Sequence, residues 1–209
     1  MTPTKPCPDG TKPVRGKSDD DHDALWCEKD GGVRHGHYLE SWPGGKKKRE
    51  GEYRDGQRQG LWTSYYDDGQ TESIGSYKDG KSHGHSVVYY PNGKKQEEGE
   101  YRDDEQEGIW TTWYDNGQKK LEARYVANKP VGRTLSWYES GQKKSEQEYD
   151  AQHKEAGHWL YYFKSGQLQG EGDYKSGQLH GTWREWDETG KLLREKTYRD
   201  GEVISEKAY

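Results

Sequence analysis

A glycine recurs along this chain at Gly36, Gly60, Gly84, Gly108, Gly132, Gly157 and Gly181, spaced 24 residues apart five times and 25 once. A second glycine follows nine residues later every time, at Gly45, Gly69, Gly93, Gly117, Gly141, Gly166 and Gly190. A tyrosine follows the first glycine by seventeen residues every time, at Tyr53, Tyr77, Tyr101, Tyr125, Tyr149, Tyr174 and Tyr198. Matches in register on this scale mean one structural unit copied seven times. Whatever the chain does, it does as an array of stacked repeats.

Each repeat reads as a strand, a tight turn, a second strand and another turn. Asp68-Gly69, Asn92-Gly93 and Asn116-Gly117 lie between segments rich in Trp, Tyr and Thr, which favour strands. Asx-Gly pairs in that setting predict type I′ hairpin turns, in which both central residues take positive φ. Asp55-Gly56, Asp79-Gly80 and Asp200-Gly201 mark the turns that pass from one repeat to the next. No segment keeps helical apolar spacing beyond a turn. The expected fold is all-β: an elongated antiparallel sheet or solenoid of consecutive β-hairpins, about 24 residues each and two strands per repeat.

Composition agrees once the repeat is known. Hydrophobic residues make up 27% of the chain and charged residues 34%. Leu, Ile, Val and Phe number only 21 of 209 residues, a level that by itself suggests disorder. A net charge of only -5 and the presence of 9 Trp and 17 Tyr argue against it. The repeat resolves the conflict, because ladders of rings in a thin sheet replace an aliphatic core. No run of about 18 apolar residues exists, which excludes a helical membrane span.

Counting from the repeat glycine as position one, side-chain alternation places positions three and seven on one face. Position three carries Tyr38, Trp62, Trp110, Trp159 and Trp183, and position seven carries Trp42, Tyr66, Tyr90, Tyr114, Tyr138 and Phe163. Gly51, Gly75, Gly99 and Gly172 sit two residues before the recurrent tyrosine, where a missing side chain leaves room for a neighbouring ring.

The pattern G-x-W-x-x-Y-Y-x-N-G, followed by Y-x-D-G, resembles the membrane occupation and recognition nexus (MORN) repeat, in its bacterial MORN-2 form. Residues 36–204 carry it, and "GIWTTWYDNGQKKLEARY" at 108–125 is a close match. Some repeats depart: position three is Ser86 in the third and Thr134 in the fifth. The inter-repeat glycine becomes Asp104, Asn128 and Gln152 after repeats three to five, and the fifth repeat has one extra residue. These departures predict a middle that is bent, looser or differently grooved. The resemblance implies a hairpin-based sheet used for binding. Bacterial relatives of this type are often described as the antitoxin half of a toxin–antitoxin pair, which makes neutralisation of a partner toxin one alternative role. A cell-envelope structural or surface protein is another.

The expected organisation is an irregular N-terminal arm over residues 1–24 and a half-repeat at 25–35. Seven repeats start at 36, 60, 84, 108, 132, 157 and 181 and run to 204, and a cap strand follows at 205–209. Cys7 and Cys27 read as a disulfide clamping the arm onto the first strands, the alternative being two unrelated thiols. Met1-Thr-Pro-Thr-Lys-Pro holds no apolar stretch. The chain is therefore either cytoplasmic or the mature form of an extracytoplasmic protein, and the disulfide favours the second.

Residue patterns for chemistry are sparse. His35 and His37, and His83 and His85, are pairs without a nearby third ligand, so no metal site is expected. Glu98, Glu122, Glu146, Glu171 and Glu195 recur at one position and read as a solvated ladder beside lysines such as Lys119 and Lys120. With no P-loop, GxSxG or Cys-His pairing, the expectation is no enzyme, no catalytic residue and no cofactor. Lys46, Lys47, Lys48 and Arg49 form the one dense basic run, read as a solvated hairpin tip. On an acidic chain with a pI near 5.9 it predicts no nucleic-acid binding and only weak membrane association. The expected function is a non-catalytic scaffold for an unidentified protein or peptide. Its aromatic docking face is expected to comprise Trp62, Tyr66, Tyr90, Trp110, Tyr114, Tyr138, Trp159 and Trp183.

Overall fold

The computed structural model describes residues 5–209 and divides into two compact units, the first ending at Glu105 and the second starting at Gln106. In the first unit the strands are β1 (Lys12–Lys17), β2 (Asp23–Lys29), β3 (Val33–Ser41), β4 (Lys47–Arg54), β5 (Gln57–Tyr65), β6 (Thr71–Lys78), β7 (Lys81–Tyr89) and β8 (Lys95–Arg102). Each pairs antiparallel with the next. The second unit holds β9 (Glu105–Trp113), β10 (Lys119–Val126), β11 (Lys129–Trp137), β12 (Lys143–Tyr149), β13 (Glu155–Tyr162), β14 (Leu168–Lys175), β15 (Gln178–Trp186), β16 (Leu192–Arg199) and β17 (Glu202–Ala208). These too pair antiparallel in sequence order. The all-β hairpin array expected from the repeat is the observed fold.

The repeat glycine stands inside a strand rather than opening one. β5 sets the three residues Gly60, Leu61 and Trp62 against the single Gly51 of β4, between the pairs Glu52–Gln59 and Glu50–Thr63. Gly60 has φ 64°, a left-handed value that lets the bulge form without a Cβ clash. The bulge carries Trp62 back over the preceding repeat.

The two turn types are the reverse of the sequence expectation. At Asp68-Gly69, Asn92-Gly93 and Asn116-Gly117 only the glycine has positive φ, so these are not type I′ turns. Instead the Gly69 N–H donates to the Tyr66 carbonyl at 2.9 Å, and the Tyr66 N–H to the Gln70 carbonyl at 2.9 Å. The Asx side chain accepts from the backbone two residues on, as Asp68 does from the Gln70 N–H at 2.8 Å. Two left-handed residues occur together at the inter-repeat turns, where Asp55 and Gly56 have φ 50° and 81°. A two-residue connection between Arg54 and Gln57 demands that geometry, whereas a longer loop does not.

The substituted turns keep their shape. Asp104 and Asn128 adopt φ 73° and 65° in place of glycine. Their side chains compensate, accepting from the Ser82 and Gln106 N–H groups at 2.7 Å each. The extra residue of the fifth repeat opens that turn into a longer loop closed by the His153 N–H on the Asp150 carbonyl at 2.9 Å.

Residues 1–24 are not uniformly irregular, since β1 lies within them. Val14 and Gly16 alternate toward the sheet, and Gly16 gives way to the Trp26 ring, which would stand 2.8 Å from a Cβ there. The C-terminal strand likewise starts at Glu202, before the expected cap. Buried Ala24, Tyr38 and Trp62 form a core cluster in the first unit, flanked by Trp26, Tyr53 and Tyr77.

Candidate functional site: the ring-bearing face

Positions three, five and seven of the first strand of each repeat share a face with Gly75, Tyr77 and their equivalents on the second. In the first unit the rings of Tyr38 and Trp62 lie 5.6 Å apart, and Tyr53 meets Trp62 edge-on at 5.0 Å. Arg58 lies 4.7 Å over Trp62 and 5.3 Å over Tyr77, so a cation closes the stack from above. In the second unit Trp159 packs against Tyr174 at 4.4 Å and Tyr149 at 5.6 Å, and Trp183 against Tyr161 at 6.0 Å. Indole N–H groups donate to backbone carbonyls: Trp62 to Glu52 at 3.2 Å and Trp159 to Glu148 at 3.1 Å.

These contacts divide the eight rings of the expected docking face. Trp62, Trp110 and Trp159 are only 4%, 2% and 5% exposed, so they act as internal supports. At Trp62 and Trp159 the bulge lays the ring inward over the preceding strand. Trp183, Tyr66, Tyr90, Tyr114 and Tyr138 are half-buried and show part of each ring. The position-seven hydroxyls donate to position six of the following repeat: Tyr66 to the Tyr89 carbonyl at 2.5 Å, Tyr114 to Trp137 at 2.9 Å and Tyr138 to Tyr162 at 2.7 Å. Alternation alone could not distinguish rings that lean inward from rings that stand at the strand end.

The opposite face carries the recurrent glutamates. Glu98, Glu122 and Glu146 pair with the lysine three residues earlier, at 2.7, 2.5 and 2.5 Å. Glu195 and Glu171 share Arg184, at 2.9 and 3.5 Å. A carboxylate held this way serves as half of an ion pair, as expected for a solvated ladder. Tyr65 donates to Glu50 at 2.6 Å; burial and that bond push its phenol up to about 12.

Lys46 and Lys47 of the basic run are exposed as expected of a solvated tip, but Lys48 and Arg49 are not. Lys48 is 12% exposed and donates to Glu40 at 3.0 Å, while Arg49 stands 3.8 Å from the same carboxylate. Glu40 is 1% exposed and also accepts from Ser18 at 3.1 Å and Tyr38 at 3.4 Å. Asp20 and His22, from the loop between β1 and β2, approach Lys48 at 3.2 and 3.1 Å. Glutamate at position five of the first repeat attracts the cations inward, a long-range pairing that local composition does not show.

Cys7 and Cys27 are joined by a disulfide. Pro8 of the arm stands where a Cβ on Gly36 would be 2.7 Å away, so the arm is seated closely on β3. His35 and His83 face Asp55 and Asp103 at 3.1 and 3.3 Å, and His85 reaches Glu98 and Glu100 at 3.2 and 3.3 Å. Among the described residues no group of three His, Cys, Asp or Glu side chains could hold a metal ion.

No curated protein matches the chain as a relative. The MORN repeat variant matches at residues 58–79, 82–103, 106–127, 130–151, 156–176 and 179–200, six consecutive repeats that together cover well over half of the sequence. Each match starts just past an inter-repeat turn and ends at the next, the same hairpin seen in the fold. The chain belongs to the MORN repeat variant family.

Proposed function

We propose that the chain is a non-catalytic scaffold that binds a protein or extended peptide across its ring-bearing face. The observation that carries this reading is the half-exposure of Tyr66, Tyr90, Tyr114, Tyr138 and Trp183, with Trp62 buried in the first unit and Trp110 and Trp159 buried in the second. Rings fixed from beneath lose little conformational freedom on binding, and Trp and Tyr dominate binding hot spots. Trp62, Trp110 and Trp159 then contribute indirectly, by holding that surface rigid. The test is affinity purification from the native cell, followed by capture with a Tyr90→Ala variant. Weakened capture with a small change in melting temperature supports the reading, and intact capture counts against it.

The compartment proposed is extracytoplasmic. The Cys7–Cys27 disulfide favours it, because disulfides persist in oxidising environments. Thiol counting under denaturing conditions on protein from its native source tests this; two free thiols would remove the support.

A further inference from the structure

Two of the glycines that stand two residues before the recurrent tyrosine are covered by the next repeat's tryptophan. At Gly51 a Cβ would meet the Trp62 ring at 2.3 Å, and at Gly172 it would meet Trp183 at 2.4 Å. Gly51, Gly99 and Gly172 are buried accordingly. The third repeat lacks that tryptophan, and Ser86 pairs directly with Gly75 across β6 and β7. A Cβ at Gly75 would meet only the Ser86 Oγ at 3.6 Å and the Tyr77 Cε2 at 3.8 Å, and Gly75 is half-exposed.

The fifth repeat also lacks the tryptophan, but there the gap is filled. Thr134 is 6% exposed, and Ala123 replaces the glycine at 1% exposed. The second repeat keeps Gly75, whose only evident use is to lie beneath a ring, and the third repeat supplies Ser86 instead of the ring. Beside these residues lies a cavity of about 400 Å³, lined by the Trp62, Tyr77 and Tyr101 rings and by Gly75 and Ser86. Arg49 and Arg58 line it, and among the described residues no carboxylate does. By repeat position, the Ser76 carbonyl stands where the Glu52 carbonyl receives the Trp62 indole N–H. The β6–β7 register leaves Ser76 outside the paired residues.

We propose that this cavity is a binding site for a tryptophan side chain flanked by a carboxylate, supplied by an extended polypeptide partner. The polypeptide source rests on the scaffold reading above; the ring and the charge rest on the cavity itself. The chain's own repeats define the ring, since an indole fills the equivalent place over Gly51 and Gly172. The charge follows from Arg58, whose guanidinium lies over Trp62 and Tyr77 and borders the cavity, where it can pair with a carboxylate in a fork geometry.

The test is fluorine NMR titration of an acetylated Glu-Trp-Glu amide carrying 5-fluorotryptophan. Parallel arms use the Gln-Trp-Gln peptide and free 5-fluoroindole-3-acetate. Wild-type protein should bind the acidic peptide saturably, with the neutral peptide and the free acid weaker. Ser86→Trp fills the cavity and Gly75→Ala lifts its floor, and each should weaken the acidic peptide by at least about tenfold. Gly75→Ala meets only ordinary contacts, so it keeps the test decisive if Ser86→Trp folds poorly. No saturable binding to wild type, or binding to both variants as tight as to wild type, overturns the site. Binding of the free acid without the peptide overturns the polypeptide source. Any of these results alongside native-partner capture that still depends on Tyr90 would leave the scaffold reading standing.

Discussion

Trp62 lies against the backbone of Gly51 so closely that a single added carbon would stand 2.3 Å from its ring. That contact joins two successive repeats, and its equivalent between Gly172 and Trp183 shows how a chain poor in aliphatic residues still packs. Removing the ring should leave a cavity that the flat strands cannot close. Trp159→Ala is expected to cost about 3–5 kcal/mol, read as a lower denaturant midpoint. A loss under about 1 kcal/mol would mean that Trp159 supports little.

Glu40 is buried with Lys48, Arg49 and Ser18 around it. Breaking such a cluster from one side leaves charges buried without a partner. Glu40→Ala should therefore destabilise the protein by about 3–5 kcal/mol. Chemical denaturation measures it, and a near-neutral result would show that the cations relax into solvent.

The Cys7–Cys27 bridge closes a loop with a sequence separation of 20 residues. Reduction, or the double Cys→Ser variant, should cost about 3 kcal/mol, mainly through the freed arm. Hydrogen exchange should rise first in β1 and β2. Unchanged protection there would contradict the clamping role.

Two titrating groups define the pH range. Burial raises the Glu50 carboxyl, but hydrogen bonds from Lys47 and Tyr65 outweigh it and hold the group below its usual range. A depressed carboxyl contributes stability that is complete above the unfolded value of about 4.3 and is lost as pH falls through the folded one. Tyr65 is pushed up to about 12, so its contribution is complete below about 10 and is lost as pH rises toward the folded value. Urea midpoints against pH should show both limbs in wild type, the acid limb reduced in Glu50→Gln and the alkaline limb reduced in Tyr65→Phe.

Much of the fold was legible because the repeat is strict: the two-strand repeat and the partnership of glycine and ring all follow from spacing. The turn types were not legible, because Asp-Gly pairs occur in both turns and loop length decides which geometry each adopts. Lys48 was misread because its partner Glu40 lies across a hairpin and is ordinary in composition. The inward lean of Trp62 and Trp159 goes with a bulge at Gly60 and Gly157, which period-two alternation does not contain. Ser86 stood out in the sequence as a departure; only Ala123 and Thr134 beside it reveal which departure is compensated.

Ring-on-glycine packing, present over Gly51 and Gly172 and missing over Gly75, is tested most directly by urea unfolding of three alanine variants. Gly51→Ala and Gly172→Ala should each lose about 2–3 kcal/mol, because the ring must shift off the backbone, and Gly75→Ala should stay within about 1 kcal/mol of wild type. Equal losses at all three positions would contradict the account.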